Sequence, residues 1–314
     1  MVYLAVIEIT SACNLECKHC YGTFDRGKKM SLSDFSSLCE ELRRNGCRTV
    51  RLSGGEPLCL GKELETYVLC ALENKLKVEI TTNGTMELLI SKETLTKISA
   101  IQVSVDGSEE IHDLVRGDGN YKKAWKTIDF LKEEGINVNV MMTVGSHNIS
   151  CVENVFREAK IHGVPMFLER ITYSGRAEQS MVLSPSHIKS LFEFCRENGI
   201  QTSDPLYRVM DRDWREGVKR KHIICGCSAG ICAICVDVDM NVLPCPRLRM
   251  SCGNVLKLSL AEILKSDKFR ILQDRSKLEG KCGKCTYKWI CGGCRADSYV
   301  HTQLLTQEDG GCFL

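Results

Sequence analysis

Six times before residue 180 the sequence runs a short apolar strand into a helical stretch and back. The strands are expected at 4–9, 49–52, 78–81, 101–105, 138–143 and 166–171. Between them, Ser31-Leu32-Ser33-Asp34 reads as a capping box, Phe35, Leu38, Cys39 and Leu42 fall at helical spacing, and Gly46 ends that run. Further helical patterns cover 62–74, a short piece near 92–98, 121–134 closed by Gly135, and 152–162. Such alternation with short connectors predicts an α/β fold, a parallel sheet covered by helices and open or partly closed into a barrel. Chemistry in such sheets sits at the C-terminal ends of the strands. There the chain places "SACNLECKHC", "SGGEP", "TTNGT" and "SVDG", which should gather on one rim.

The first of these motifs holds Cys13, Cys17 and Cys20 in a Cys-x3-Cys-x2-Cys spacing. The N-terminus shows no charged region, apolar run and cleavage site, and no stretch approaches the roughly 18 apolar residues of a membrane span. That points to the cytoplasm, where thiols stay reduced, so the clustered members of the 20 cysteines read as metal ligands. Hydrophobic content of 43%, charged content of 26% and net charge +2 are those of an ordinary globular protein, with no bulk attraction to nucleic acid or membrane. Cys39, Cys47, Cys59, Cys70, Cys151 and Cys195 are scattered and read as small buried hydrophobes. The others lie between Cys225 and Cys312, in a part too loop-rich to fold on apolar burial alone, where metal clusters would act as crosslinks. The contrast predicts a boundary near 185–205: a core over 1–184, a bridging helix within 185–200 and a cysteine-rich domain over 201–314.

A 4Fe–4S cluster has four irons, and soft thiolates suit them. Three cysteines on one loop hold three irons and leave the fourth for another ligand. The competing reading is a zinc site with His19 as fourth ligand, which leaves "GGEP" and the strand–helix pattern unexplained; otherwise His19 packs beside the cluster. A Cys-x3-Cys-x2-Cys loop after the first strand of such a pattern resembles the radical S-adenosylmethionine (SAM) superfamily. The resemblance implies a partial (β/α)6 TIM-like barrel. It also implies that SAM chelates the vacant iron, is cleaved by an electron to a 5′-deoxyadenosyl radical, and so abstracts hydrogen from a substrate. It assigns Gly54, Gly55, Glu56 and Pro57 to the region of the SAM amino group, and Thr82 and Asn83 to the ribose. Ser104 and Asp106 become the polar pair after the fourth strand, and Arg116 a partner of the SAM carboxylate. Taken alone, "GGEP" is an ordinary turn and Arg116 a surface charge.

"CGKCTYKWICGGC", the hairpin expected at 233–238 and 241–243 ending in "LPC", the following "CGNV" and the amphipathic "SLAEIL" resemble the SPASM extension of that superfamily. The resemblance implies two auxiliary 4Fe–4S clusters, three clusters in all. Cys282, Cys285, Cys291 and Cys312 would hold the outer one, and Cys227, Cys245 and Cys294 the inner one, with Cys232 or its rival Cys235 as fourth ligand. Zinc ribbons use similar cysteine pairs. Met240 stands where a turn glycine is common, two residues rather than three part the last pair, and Pro246 replaces the aspartate of sulfatase-maturing relatives. Cys225 and Cys252 are spare, as buried thiols, alternative ligands or hydrogen donors.

These features imply a radical SAM enzyme modifying a ribosomally synthesised peptide by crosslinking, epimerisation or excision. The alternatives are modification of a tetrapyrrole in haem biosynthesis and a non-catalytic iron–sulfur scaffold. With the first strand starting at residue 3, no leader-gripping module is expected ahead of it, so a separate recognition protein is expected, with a reductase, flavodoxin or ferredoxin as electron donor. The basic run 208–222 reads as a solvated helix or a surface for an acidic leader.

Overall fold

Side chains alternate along the strands between apolar and polar, and this pattern shapes the barrel. A computed structural model describes residues 2–22, 27–210 and 226–314. Its parallel strands are β1 (Leu4–Thr10), β2 (Thr49–Gly54), β3 (Lys77–Thr82), β4 (Ala100–Ser104), β5 (Val138–Val144) and β6 (Met166–Arg170). They pair in sequence order, β6-β5-β4-β3-β2-β1, and the sheet continues through β7 (Ala233–Val236) to β8 (Val242–Leu243). Right-handed crossovers in strictly sequential order put every connecting helix on one face. The opposite face is left as the lumen of an α/β barrel that does not close.

The registers sort the residues between these faces, because residues opposite each other in parallel strands share a face. Ala5 pairs with Val50 and Ile7 with Leu52, and Val50, Val78, Ile80, Ile101, Val103, Val140 and Leu168 continue a wholly buried apolar face. Phe35, Leu38 and Leu42 of α1 (Leu32–Arg44) belong to the same core. So do Leu64, Val68 and Ala71 of α2 (Glu63–Glu73). The other face pairs Glu8 with Ser53, Arg51 with Glu79, Thr81 with Gln102 and Thr143 with Glu169. Buried parallel strands are usually apolar on both faces; here the lumen side is polar.

Several expectations are refined. Ser31 does cap α1, accepting from the Asp34 N–H at 3.1 Å, but the Asp34 carboxylate takes up the Ser31 hydroxyl rather than its backbone N–H, so half the box forms. A helix absent from the sequence reading, α3 (Glu109–Arg116), delivers Arg116 at its last position. It is followed by α4 (Asn120–Glu133), α5 (Val152–Ile161) and α6 (Pro185–Asn198). The hairpin pairs antiparallel through Cys235–Leu243 and Val236–Val242, yet it does not stand apart, because β7 pairs with β1 and enlarges the barrel sheet. Met240 occupies the left-handed turn position at φ 66°, buried under the hairpin. Cys39, Cys47, Cys70 and Cys195 are buried as expected, whereas Cys59 and Cys151 are only half-buried. Among the described residues no helix is long and apolar enough to cross a membrane. Cys225 and most of the basic run 208–222 lie outside the described residues.

The two faces predict opposite responses to truncation. Ile80→Ala, on the helix side, should lose about 2–5 kcal/mol in denaturant unfolding. Thr81→Ala, one residue on and facing the lumen, should lose about 1 kcal/mol or less.

Candidate active site

The loop that carries the three cysteines is stitched to the next strand–helix connection by backbone. Gly55 N–H donates to Thr10 O at 2.8 Å and Glu56 N–H to Ala12 O at 2.7 Å. A side chain on Gly54 or Gly55 would overlap the carbonyl oxygens of Thr10 or Ala12. The glycines of "GGEP" thus permit close approach of the cysteine loop itself, rather than only of a ligand. At the far end of the loop Arg176 N–H donates to Cys20 O at 2.8 Å, and Lys18 N–H donates to Val115 O at 3.1 Å.

The Glu56 carboxylate is buried and fully used. It accepts from Leu58 N–H at 3.0 Å, the Thr82 hydroxyl at 2.6 Å and Asn83 N–H at 2.7 Å. Burial pushes this carboxyl up, and these three donors oppose the rise. Asn83 continues the link, its amide donating to Asn14 Oδ1 at 2.9 Å inside the cysteine loop. "GGEP", "TTNG" and the cysteine loop therefore form one hydrogen-bonded rim.

Asp106 is the second strut. Its Oδ2 takes His19 Nε2 at 2.6 Å and Arg116 Nε at 2.5 Å, and its Oδ1 accepts from Thr143 N–H at 2.8 Å. Asn148 donates to the Asp106 carbonyl at 2.8 Å. Burial acts to raise the Asp106 carboxyl, but Arg116 and His19 beside it hold it well below the usual carboxylate range. Burial also acts against the Arg116 charge, and the Asp106 carboxylate overcomes it. Arg116 is thus not a surface charge: its side chain is 10% exposed and its Nη1 lies 4.0 Å from Cys17 Sγ. Ser104 is buried on the lumen face of β4, two residues before Asp106. His19 is tied to Asp106, so packing beside the cysteines and bonding to a carboxylate are both part of its role.

The loop chemistry fits an iron–sulfur cluster. Leu15 N–H points at Cys13 Sγ at 3.4 Å, the kind of donor that stabilises a thiolate. Burial pushes the Cys13 thiol up to about 11, so deprotonation there depends on a bound metal.

The C-terminal thiols fall into two neighbourhoods. Cys294 lies within electrostatic reach of Cys227, and Cys245 likewise of Cys227, while Cys232 sits beside Cys227 at an exposed position. Cys312 lies near Cys282 and Cys285, and Cys291 near Cys282. N–H groups again face sulfur, from Tyr287 to Cys285 at 3.4 Å and from Gly293 to Cys291 at 3.3 Å. Cys235 sits within β7, wholly buried beside Glu8, Arg249 and Cys245. Cys252 is a buried thiol donating weakly to Met250 O at 3.7 Å, and burial pushes it up to about 11.

Residues outside the sequence reading complete the site. Tyr21, directly after Cys20, hydrogen-bonds Glu8 and Ser53 inside the lumen. Arg249 grips Glu8 through both guanidinium nitrogens, at 2.6 and 3.1 Å. His147 lies with its ring 6.2 Å from that of His19, and among the described residues neither of its buried nitrogens has a partner. The alternation in "VRLSGG" and "KVEITT" was the available signal for the polar face; the reach of Arg249 across more than 200 residues had none.

Asp106→Asn keeps the shape but removes the charge facing Arg116. It should destabilise the protein by about 3 kcal/mol or more in denaturant unfolding. Gly55→Ala should likewise cost several kcal/mol, because its steric partner is backbone.

Comparison with known proteins agrees with this architecture. The Radical SAM superfamily profile matches residues 7–159, and SPASM, an iron–sulfur cluster-binding domain, matches residues 227–286. The AdoMet-dependent heme synthase of Methanosarcina barkeri is 30% identical over 97% of this chain and 94% of its own length. The sporulation killing factor maturation protein SkfB of Bacillus subtilis is 27% identical over 90% of this chain and 68% of its own. Among solved structures, Streptococcus suis SuiB bound to its precursor peptide SuiA superimposes with a TM-score of 0.79 at 16% identity, covering 100% of this chain and 76% of that one. The chain belongs to the radical SAM superfamily and is a radical SAM enzyme with a C-terminal SPASM domain.

Proposed function

We propose that this enzyme modifies a ribosomally synthesised peptide, by crosslinking, epimerisation or excision. The observation that carries this reading is the lumen wall. Three arginines of this wall are matched with carboxylates: Arg51 with Glu79 at 2.6 Å, Arg249 with Glu8 at 2.6 Å and Arg247 with Glu169 at 3.4 Å. A peptide main chain offers donors and acceptors of both senses along its length and suits a wall of balanced pairs. A substrate with several carboxylates needs a surplus of cations. SuiB, solved with a precursor peptide, and SkfB, a maturation protein, support the same reading. The tetrapyrrole reading rests on the relative from Methanosarcina barkeri, named as a heme synthase.

We assign three 4Fe–4S clusters within a core over 1–184, a bridge over 185–200 and an auxiliary-cluster domain over 201–314. Cys13, Cys17 and Cys20 hold the first and leave one iron for SAM. Cys227, Cys232, Cys245 and Cys294 hold the inner auxiliary cluster, and Cys282, Cys285, Cys291 and Cys312 the outer one. Cys232 is preferred to Cys235, which is fixed in a strand paired on both sides and faces Glu8 and Arg249. A cluster held by Cys13, Cys17 and Cys20 would, when bound and reduced, supply the chemistry of reductive SAM cleavage and hydrogen abstraction. The protein's own residues provide the frame. Glu56 and Asp106 act as struts, their carboxylates already occupied. The backbone of residues 54–57 with Thr82, Asn83, Ser104 and Arg116 lines the SAM, and Arg116 adds positive charge beside Cys17. The partners would be a separate leader-recognition protein and a flavodoxin, ferredoxin or reductase.

Replacing Cys13, Cys17 or Cys20 with alanine should abolish formation of 5′-deoxyadenosine from SAM under reducing conditions. Co-expression with candidate precursor peptides should give a mass change that disappears in the Cys13→Ala enzyme. Turnover of an added tetrapyrrole, with every precursor left unchanged, would overturn the peptide assignment.

A further inference from the structure

Arg295 opens the helix Arg295–Thr302 and is 4% exposed. A buried guanidinium normally meets a carboxylate. Arg170, buried to a similar degree, meets two, Asp204 and Asp309, each at 2.5 Å. Arg295 meets none among the described residues. Its Nε donates to Gly293 O at 3.4 Å, and its Nη1 to Leu305 O at 2.9 Å and Gln307 O at 2.6 Å. Its Nη2 donates to Cys282 Sγ at 3.7 Å. Asp309 borders the same space, but its oxygens are spent on Arg170, on Cys294 N–H at 2.7 Å and on Gly311 N–H at 2.9 Å.

The backbone keeps room for the sulfur contact. Gly293, the second glycine of "CGGC", stands at φ 64°. A Cβ there would lie 2.5 Å from Arg295 Nη2 and 3.2 Å from Cys282 Sγ. The carbonyl bonds fix residues 305–307, the stretch that leads to Cys312, yet carbonyls ask for donors and not for a charge. The helix does not ask for one either, because a cation at a helix N-terminus opposes its dipole. What the charge can match is the Cys282 sulfur as a thiolate.

A thiolate-held cluster is an anion, and reduction adds a further negative charge. Its potential follows the charges and hydrogen bonds at its sulfurs. We propose that Arg295 is the counter-charge of the outer auxiliary cluster, donating from Nη2 to the Cys282 sulfur and so favouring the reduced form. This rests on the cluster assignment proposed above.

The test is a potentiometric titration of reconstituted holoenzyme followed by electron paramagnetic resonance, with the outer signal identified by its loss in Cys312→Ala. Arg295→Gln keeps donors for the carbonyls and removes the charge. It should lower the outer midpoint by at least a tenfold change in the reduction equilibrium, about 59 mV for one electron, and move the inner midpoint less. A smaller outer shift, or an inner shift as large, overturns the proposal. Should Arg295→Gln fail to assemble, the parent enzyme with isotopically labelled arginine nitrogens carries the test. Pulsed resonance of its reduced outer cluster should show a coupling to a guanidinium nitrogen that Arg295→Lys removes; no coupling, or one that survives in Arg295→Lys, overturns the proposal. A parent enzyme without an outer signal removes the cluster assignment, whereas an outer signal indifferent to Arg295 removes the proposal alone.

Discussion

Two backbone hydrogen bonds, from Gly55 to Thr10 and from Glu56 to Ala12, carry the pairing of the first two strands beyond their ends and into the cysteine loop. A loop with three thiols has little apolar surface of its own to fix it, and an unsupported loop of that kind samples many conformations. Here the sheet ladder fixes its entry, Asn14 and Asn83 fix its middle, and Arg176 fixes its exit. The geometry of the three-cysteine loop is thereby inherited from the sheet. The two glycines are needed for backbone contact within the protein, and their closeness to any ligand is a consequence.

The second organising feature is charge held inside the barrel. Burying an ion pair rarely adds stability over apolar packing, whereas removing one partner is expensive. The lumen nevertheless keeps Arg51–Glu79, Arg249–Glu8 and Arg247–Glu169, and the rim keeps Asp106 between His19 and Arg116. Arg249–Glu8 and Arg247–Glu169 join segments far apart in sequence and tie the barrel to the loop after Cys245. The auxiliary cysteines are thus held against the open side of the lumen, where β7 pairs with β1.

Much of this was legible in the sequence where the signal was local. The strand–helix alternation gave every barrel strand to within a residue or two, and the bridging helix began at Ser184-Pro185 as a capping serine and first-turn proline suggest. The one-turn helix at "SLAEIL" carries the capping box its sequence spells. Contacts that depend on distant partners were not legible. Arg116 looked equally like a loop charge until α3 set it against Asp106. The hairpin at Cys235 carries no mark that its outer edge completes the barrel sheet, because a short apolar strand is compatible with either partner. Met240 was an oddity in sequence and is one in structure, a non-glycine residue in a left-handed turn whose side chain is nonetheless buried.

The central claim is that the loop of Cys13, Cys17 and Cys20 holds a cluster with one iron reserved for SAM. Electron paramagnetic resonance of the reduced enzyme, before and after adding SAM, addresses it most directly. The account predicts a changed signal on SAM addition that vanishes when the three loop cysteines are replaced while the auxiliary signals persist. A spectrum indifferent to SAM, or a loop found to bind zinc, would contradict it.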